Sequence, residues 1–124
     1  MTDITEIEVN LYIDVEKDSN LKQTAQIIEQ RLSQFKMVKE AEAVSEKPRL
    51  TGVEVVAAIG VTVLVIRGSG EIVGELRKFI MQLKGLIGDI KGLKDVFVEV
   101  KDKRIPLAEV NEDDPEQLKA LTHP

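Results

Sequence analysis

The 124-residue chain has no cysteine and no tryptophan, three phenylalanines, one tyrosine and a single histidine. Without cysteine there is no disulfide framework, no thiolate metal site and no thiol nucleophile. With so few aromatic rings, a core has to be built from aliphatic side chains. No block of Lys or Arg runs along the chain, and 22 acidic residues outnumber 17 basic ones, for a formal net charge of -5. Nothing here can follow a phosphate backbone, so nucleic acid is not an expected partner. Long apolar runs are missing too. The longest, Val55 to Ile66, is broken by Gly60 and Thr62 and bounded by Glu54 and Arg67 at 12 residues, whereas spanning a bilayer takes about 20. The opening MTDITEIEV lacks the basic and apolar regions of a signal peptide, which leads to the expectation of a cytoplasmic protein.

What is present is the composition of one globular domain, 43% hydrophobic and 31% charged, able to bury roughly two thirds of its unfolded surface. Charge is spread unevenly. Residues 1–50 carry 7 basic and 10 acidic side chains, 51–110 carry 9 and 8, and 111–124 carry 1 and 4. The expected organisation is a single α+β domain over 1–110 followed by an acidic C-terminal segment, 111–124, with a short helix.

Ile7, Val9, Leu11, Ile13 and Val15 alternate with Glu6, Glu8, Asn10, Tyr12 and Asp14, the period of a strand with one buried and one wet face. Asp18, Ser19 and Asn20 can cap a helix whose stripe runs Leu21, Ala25, Ile28, Leu32, Phe35. Met37 to Val44 alternates weakly and reads as a short strand, and a loop follows around Pro48. Val53 to Ile66 is rich in β-branched residues but has the length of a helix, and is read as a buried helix. From Glu71, the spacing of Ile72, Leu76, Phe79, Ile80, Leu83, Ile87 and Ile90 predicts a long amphipathic helix. Val96 to Val100 and Ile105 to Leu107 read as a hairpin turning around Asp102 and Lys103, with Pro106 marking an edge strand. Asp114 before Pro115 and Glu116 predicts a capped helix from Pro115 to about Leu121.

All eight glycines lie between Gly52 and Gly92. At about 100° per residue, Gly74, Gly85, Gly88 and Gly92 gather opposite the apolar stripe of the long helix. Each costs about 0.8–1 kcal/mol of helix propensity relative to Ala, so they mark a candidate surface for close approach.

Catalytic candidates are thin. His123 is next to the last residue. Glu6, Glu8 and Asp14 sit on the polar face of a strand, Asp113 and Asp114 are explained by capping, and Ser19, Ser33, Ser45 and Ser69 lack a neighbouring base. Gly68, Ser69, Gly70 and Gly74 open a helix, but their G-x-G-x-x-x-G spacing departs from the dinucleotide fingerprint and no Lys-Ser or Lys-Thr follows. The reading is of a non-enzyme with no catalytic, metal or cofactor residues.

Several segments together carry a family resemblance: the alternating first strand, the Leu21 to Phe35 helix, T-G-V-E-V-V from Thr51 and I-R-G-S-G at Ile66 to Gly70. The amphipathic helix, the valine strand Val96 to Val100 and N-E-D-D-P-E-Q-L at Asn111 to Leu118 continue it. From Glu6 to about Leu121 the layout resembles the effector-associated constant component 1 family, small modules of bacterial conflict systems. The resemblance implies a non-catalytic adaptor or sensor part that brings separate effector domains together.

The expected fold is α+β, a small, mostly antiparallel sheet of three or four strands packed on two or three helices in a ferredoxin-like layering. The expected function is a protein-interaction module that recruits or regulates an effector protein through Gly74, Gly85, Gly88 and Gly92, with a homo-oligomer through that face as an option. Two alternatives stand beside it: a membrane-active protein inserting a central helical hairpin, Val53 to Leu93, and a small nucleotide-binding domain at Gly68 to Gly74.

Overall fold

In a computed structural model that describes residues 6–15, 20–45, 49–51, 54–66 and 72–122, with the backbone alone at 45, 49–51 and 54–57, the chain forms an α+β domain. The alternation of the first segment becomes β1 (Glu6–Val15). Its odd residues, Ile7 to Val15, are buried, while Glu6 and Glu8 are exposed. The following elements are α1 (Leu21–Ser33), β2 (Val38–Ser45), β3 (Arg49–Thr51), β4 (Glu54–Ile66), α2 (Ile72–Asp89), β5 (Leu93–Val100), β6 (Lys103–Pro106) and α3 (Pro115–Thr122), with a 3-10 turn at Leu107–Glu109.

The strands lie in the order β2-β4-β1-β5-β6, with β3 pairing β4. Every pairing is antiparallel. β1 is central: Leu11 lies opposite Val61 of β4 on one side and Val98 of β5 on the other. The two strands of each pair that a helix joins, β1 with β2 and β4 with β5, are not neighbours, so each helix crosses over an intervening strand. The sheet therefore exceeds the three or four strands expected from the sequence.

The largest difference concerns residues 53–66. The described part, 54–66, is a strand and not a buried helix. Its length comes from what it pairs with, since β1 takes Ala57 to Ile66, β2 takes Ile59 to Val65 and β3 takes Glu54 to Val56. β-branched side chains suit that pleated surface and resist helix. The helical hairpin that the membrane alternative needs is consequently not formed, and among the described residues no helix is long and apolar enough to cross a membrane.

Both long helices cover the same face. Ala25, Ile28 and Leu32 of α1 and Ile72, Leu76, Phe79, Ile80, Leu83 and Leu86 of α2 share one core with the odd residues of β1 and with Ile59, Val61, Val63 and Val65. Phe35 and Phe79 meet edge to face, with ring centroids 6.1 Å apart at 70°. Asn20 caps α1 by accepting from the Gln23 N–H at 3.1 Å, and the Asp114 carboxylate accepts from the Glu116 and Gln117 N–H groups at the start of α3. Leu118 and Leu121 of α3 belong to the same core. The β5–β6 turn falls at Lys101 and Asp102, with φ of 49° and 68°. Two successive left-handed residues are what a two-residue I′ hairpin requires.

Candidate interaction surfaces

The helix period places Gly74, Gly85 and Gly88 on the outer side of α2, and all three are exposed. A Cβ built on any of them would meet nothing within 4 Å. Met81 falls within the same stripe and is 47% exposed. Gly92 does not share it, because α2 ends at Asp89. Its φ of 87° serves the turn into β5, a conformation that favours glycine.

Beside this stripe lies a largely apolar groove of about 640 Å³ between the end of α2 and the β5–β6 hairpin. Ile87, Gly88, Phe97, Pro106 and Leu107 line it, with Lys84 and Lys94 also on its wall. Gly88 thus belongs to the bare helix face and to the groove at once. Lys84 is held in place. Its Nζ donates to the Val110 carbonyl at 2.6 Å and to Glu112 Oε2 at 2.7 Å, tying the segment before α3 to α2. That hydrogen bond, helped by one to its own backbone, lowers the Glu112 pKa from its ordinary value.

The opposite face of the sheet has no helix on it among the described residues. The register sets Tyr12 beside Phe97 and Phe97 beside Pro106, with Asn10, Glu99 and Arg104 forming the next row. The Arg104 guanidinium lies 3.9 Å from the centre of the Tyr12 ring and pairs with Glu99 at 3.3 Å, an exposed arrangement whose cation–π part contributes about 0.5–1 kcal/mol. Gly60 of β4, opposite Tyr12 and Val44, leaves a depression of about 270 Å³ that Asn10, Glu42 and Thr62 also line. The Thr62 hydroxyl donates to Asn10 Oδ1 at 3.1 Å.

The residues weighed for chemistry are dispersed. Glu6 pairs with Lys39 at 4.0 Å and Asp113 with Arg77 at 3.1 Å, Asp114 is the α3 cap, and the Ser33 hydroxyl donates to the Glu29 carbonyl. Asp14 is half-buried on β1. His123, Ser19, Ser69, Gly68 and Gly70 lie outside the described residues, and so does most of the segment read as an alternative nucleotide site. Among the described residues no three His, Cys, Asp or Glu side chains are grouped to hold a metal ion.

Of the glycines that sequence reasoning placed on one side of the helix, Gly74, Gly85 and Gly88 lie there and Gly92 does not; the groove and the Tyr12–Phe97–Pro106 row were missed. Their residues come from four separate segments, and only the strand register brings them together. No protein-family model, no curated protein and no solved structure matches the chain.

Proposed function

We propose that this chain is a non-catalytic protein-interaction module, an adaptor or regulatory part of a bacterial conflict or signalling system that recruits or regulates an effector. The observation that carries this reading is the outer side of α2, where Gly74, Gly85 and Gly88 lie bare with open space above them, next to exposed Met81 and an apolar groove. The three glycines inside α2 forgo roughly 0.8–1 kcal/mol each relative to Ala. Backbone exposed in this way lets another backbone or a ring come close, the use to which small helical residues are put. The ferredoxin-like connectivity supports the same reading, because placing both long helices on one face leaves the other face and the sheet edges for contact.

The test is an affinity capture of the tagged chain from its own cells, compared with a Gly85→Leu, Gly88→Leu double variant. A stoichiometric effector captured by the parent and lost from the variant is the expected result. Equal capture by both, with the variant folded by circular dichroism, removes the glycine face from the proposal.

A further inference from the structure

The two edges of the sheet are built differently. β6 is four residues long and ends in Pro106, which has no N–H to offer. β2 is eight residues long and pairs with β4, and among the described residues its far side faces no other strand. The Ile66 N–H donates to the Met37 carbonyl at 2.8 Å. The backbone groups of Ile66 therefore point toward β2, and by the alternation of a strand so do those of Leu64, Thr62 and Gly60. Glu40 and Glu42 stand opposite Leu64 and Thr62 and are bonded to them. Ala41 and Ala43 are left with N–H and C=O groups aimed at the open edge.

Among the described side chains, the charges along this edge are acidic apart from Lys39. Glu40 and Glu42 are exposed on the uncovered face, and Glu8 lies in the same row as Glu40 across Leu64. These three, with Glu29 of α1, line a hollow of about 730 Å³. Lys39, the cation within the described part of β2, is turned to Glu6, and none of the four has an ion-pair partner among the described residues. A second copy is a poor occupant. If two β2 strands paired about a two-fold axis with Ala41 opposite Ala41, Glu40 would face Glu42, and with Ala41 opposite Ala43, Glu42 would face itself; Ala43 opposite Ala43 sets Glu42 against Val44 but pairs only the end of the strand, from Ala41 to Ser45. Like charges directly opposite are destabilising.

We infer that β2 accepts, as an added antiparallel strand, an extended segment of a partner protein carrying Lys or Arg at alternate positions. Its backbone bonds to Ala41 and Ala43, and its cations lie over Glu40 and Glu42, with Glu8, two strands further in, adding to the negative field. This rests on the interaction-module reading and adds a second surface, remote from α2, with a partner of stated chemistry.

The probe is a capped seven-residue peptide alternating Lys and Val, titrated into the full chain at low salt and followed by amide NMR and hydrogen exchange. Expected are shifts confined to Val38–Ser45 and its neighbours on β4, with new exchange protection of the Ala41 and Ala43 amides. Ala43→Pro, which removes an outward N–H and leaves the β4 ladder intact, weakens binding about tenfold or more. Should that variant fail to fold, Glu40→Lys with Glu42→Lys keeps the backbone, and it is expected to reject the Lys-Val peptide and bind a Glu-Val one. Binding without protection of the two amides, or unchanged by the charge swap, overturns the inference, as does formation of a β2-paired homodimer. Because the capture experiment with the glycine variants does not involve β2, an effector recovered there while the peptide fails would sink the strand-addition site and leave the adaptor reading intact.

Discussion

On the inner side of α2, Phe79, Ile80 and Leu83 have no exposed surface. On its outer side, Gly74, Gly85 and Gly88 have no side chain at all and open space where a Cβ would go. One helix of 18 residues thus carries a face that the domain requires and a face that the isolated domain would be better without. The inner face explains itself through burial. The outer face forgoes helix propensity with no internal neighbour to justify the loss, and that contrast is what directs attention to a partner.

The contrast can be broken most forcefully from the inside. Phe79→Ala removes a fully buried ring together with its contact to Phe35, and an increase in unfolding susceptibility of about 3–5 kcal/mol is expected by urea titration. A loss below 1 kcal/mol would mean that α2 is not held by this stripe.

At the flank of the helix, Lys84→Met strands the Val110 carbonyl and removes the partner of Glu112. Both side chains are partly exposed, so a destabilisation smaller than that of Phe79→Ala is expected by the same titration. The effect depends on pH with a definite sign. Lys84 lowers the Glu112 pKa below 4.5 in the folded chain, so this contribution is fully present above pH 4.5 and is lost as pH falls through the lowered folded value. Parent and variant stabilities should draw closer in that acid window, and a gap that stays constant there would place the whole effect on the Val110 carbonyl.

The smallest change sharpens the comparison instead of breaking it. Gly85→Ala and Gly88→Ala should each raise stability, by roughly 0.8–1 kcal/mol, because the added methyl meets nothing. If either lowers stability, the outer face has a role inside the domain and the argument for an external partner weakens.

Much of the architecture was legible wherever a single period dominated. β1 shows strict alternation, α2 an unbroken stripe, and α3 an Asp-Pro-Glu start that the structure uses as a cap. Leu86 takes the place of Ile87 among the buried residues of α2, a rotation of one position within the same stripe. β4 was misread because its outward residues include Leu64 and Ile66 as well as Gly60 and Thr62, so apolar side chains occupy both faces and the alternation disappears. Its β-branched content was the better guide. Strand order and the β2 edge left no local signal, since pairing such as Leu11 with Val98 joins residues far apart in sequence.

That pairing also sets an order in time. The central strand of the sheet is the one made first, yet its partners are Ala57 to Ile66 on one side and Leu93 to Glu99 on the other. As the chain leaves the ribosome, Ile7, Val9, Leu11, Ile13 and Val15 have to wait for most of the domain to be synthesised before both flanks close. Contacts of such long range are slow to form, and an apolar alternating strand is vulnerable to foreign pairing while it waits. The glutamates interleaved along it, Glu6 and Glu8, keep it charged during that interval, before either flank is paired.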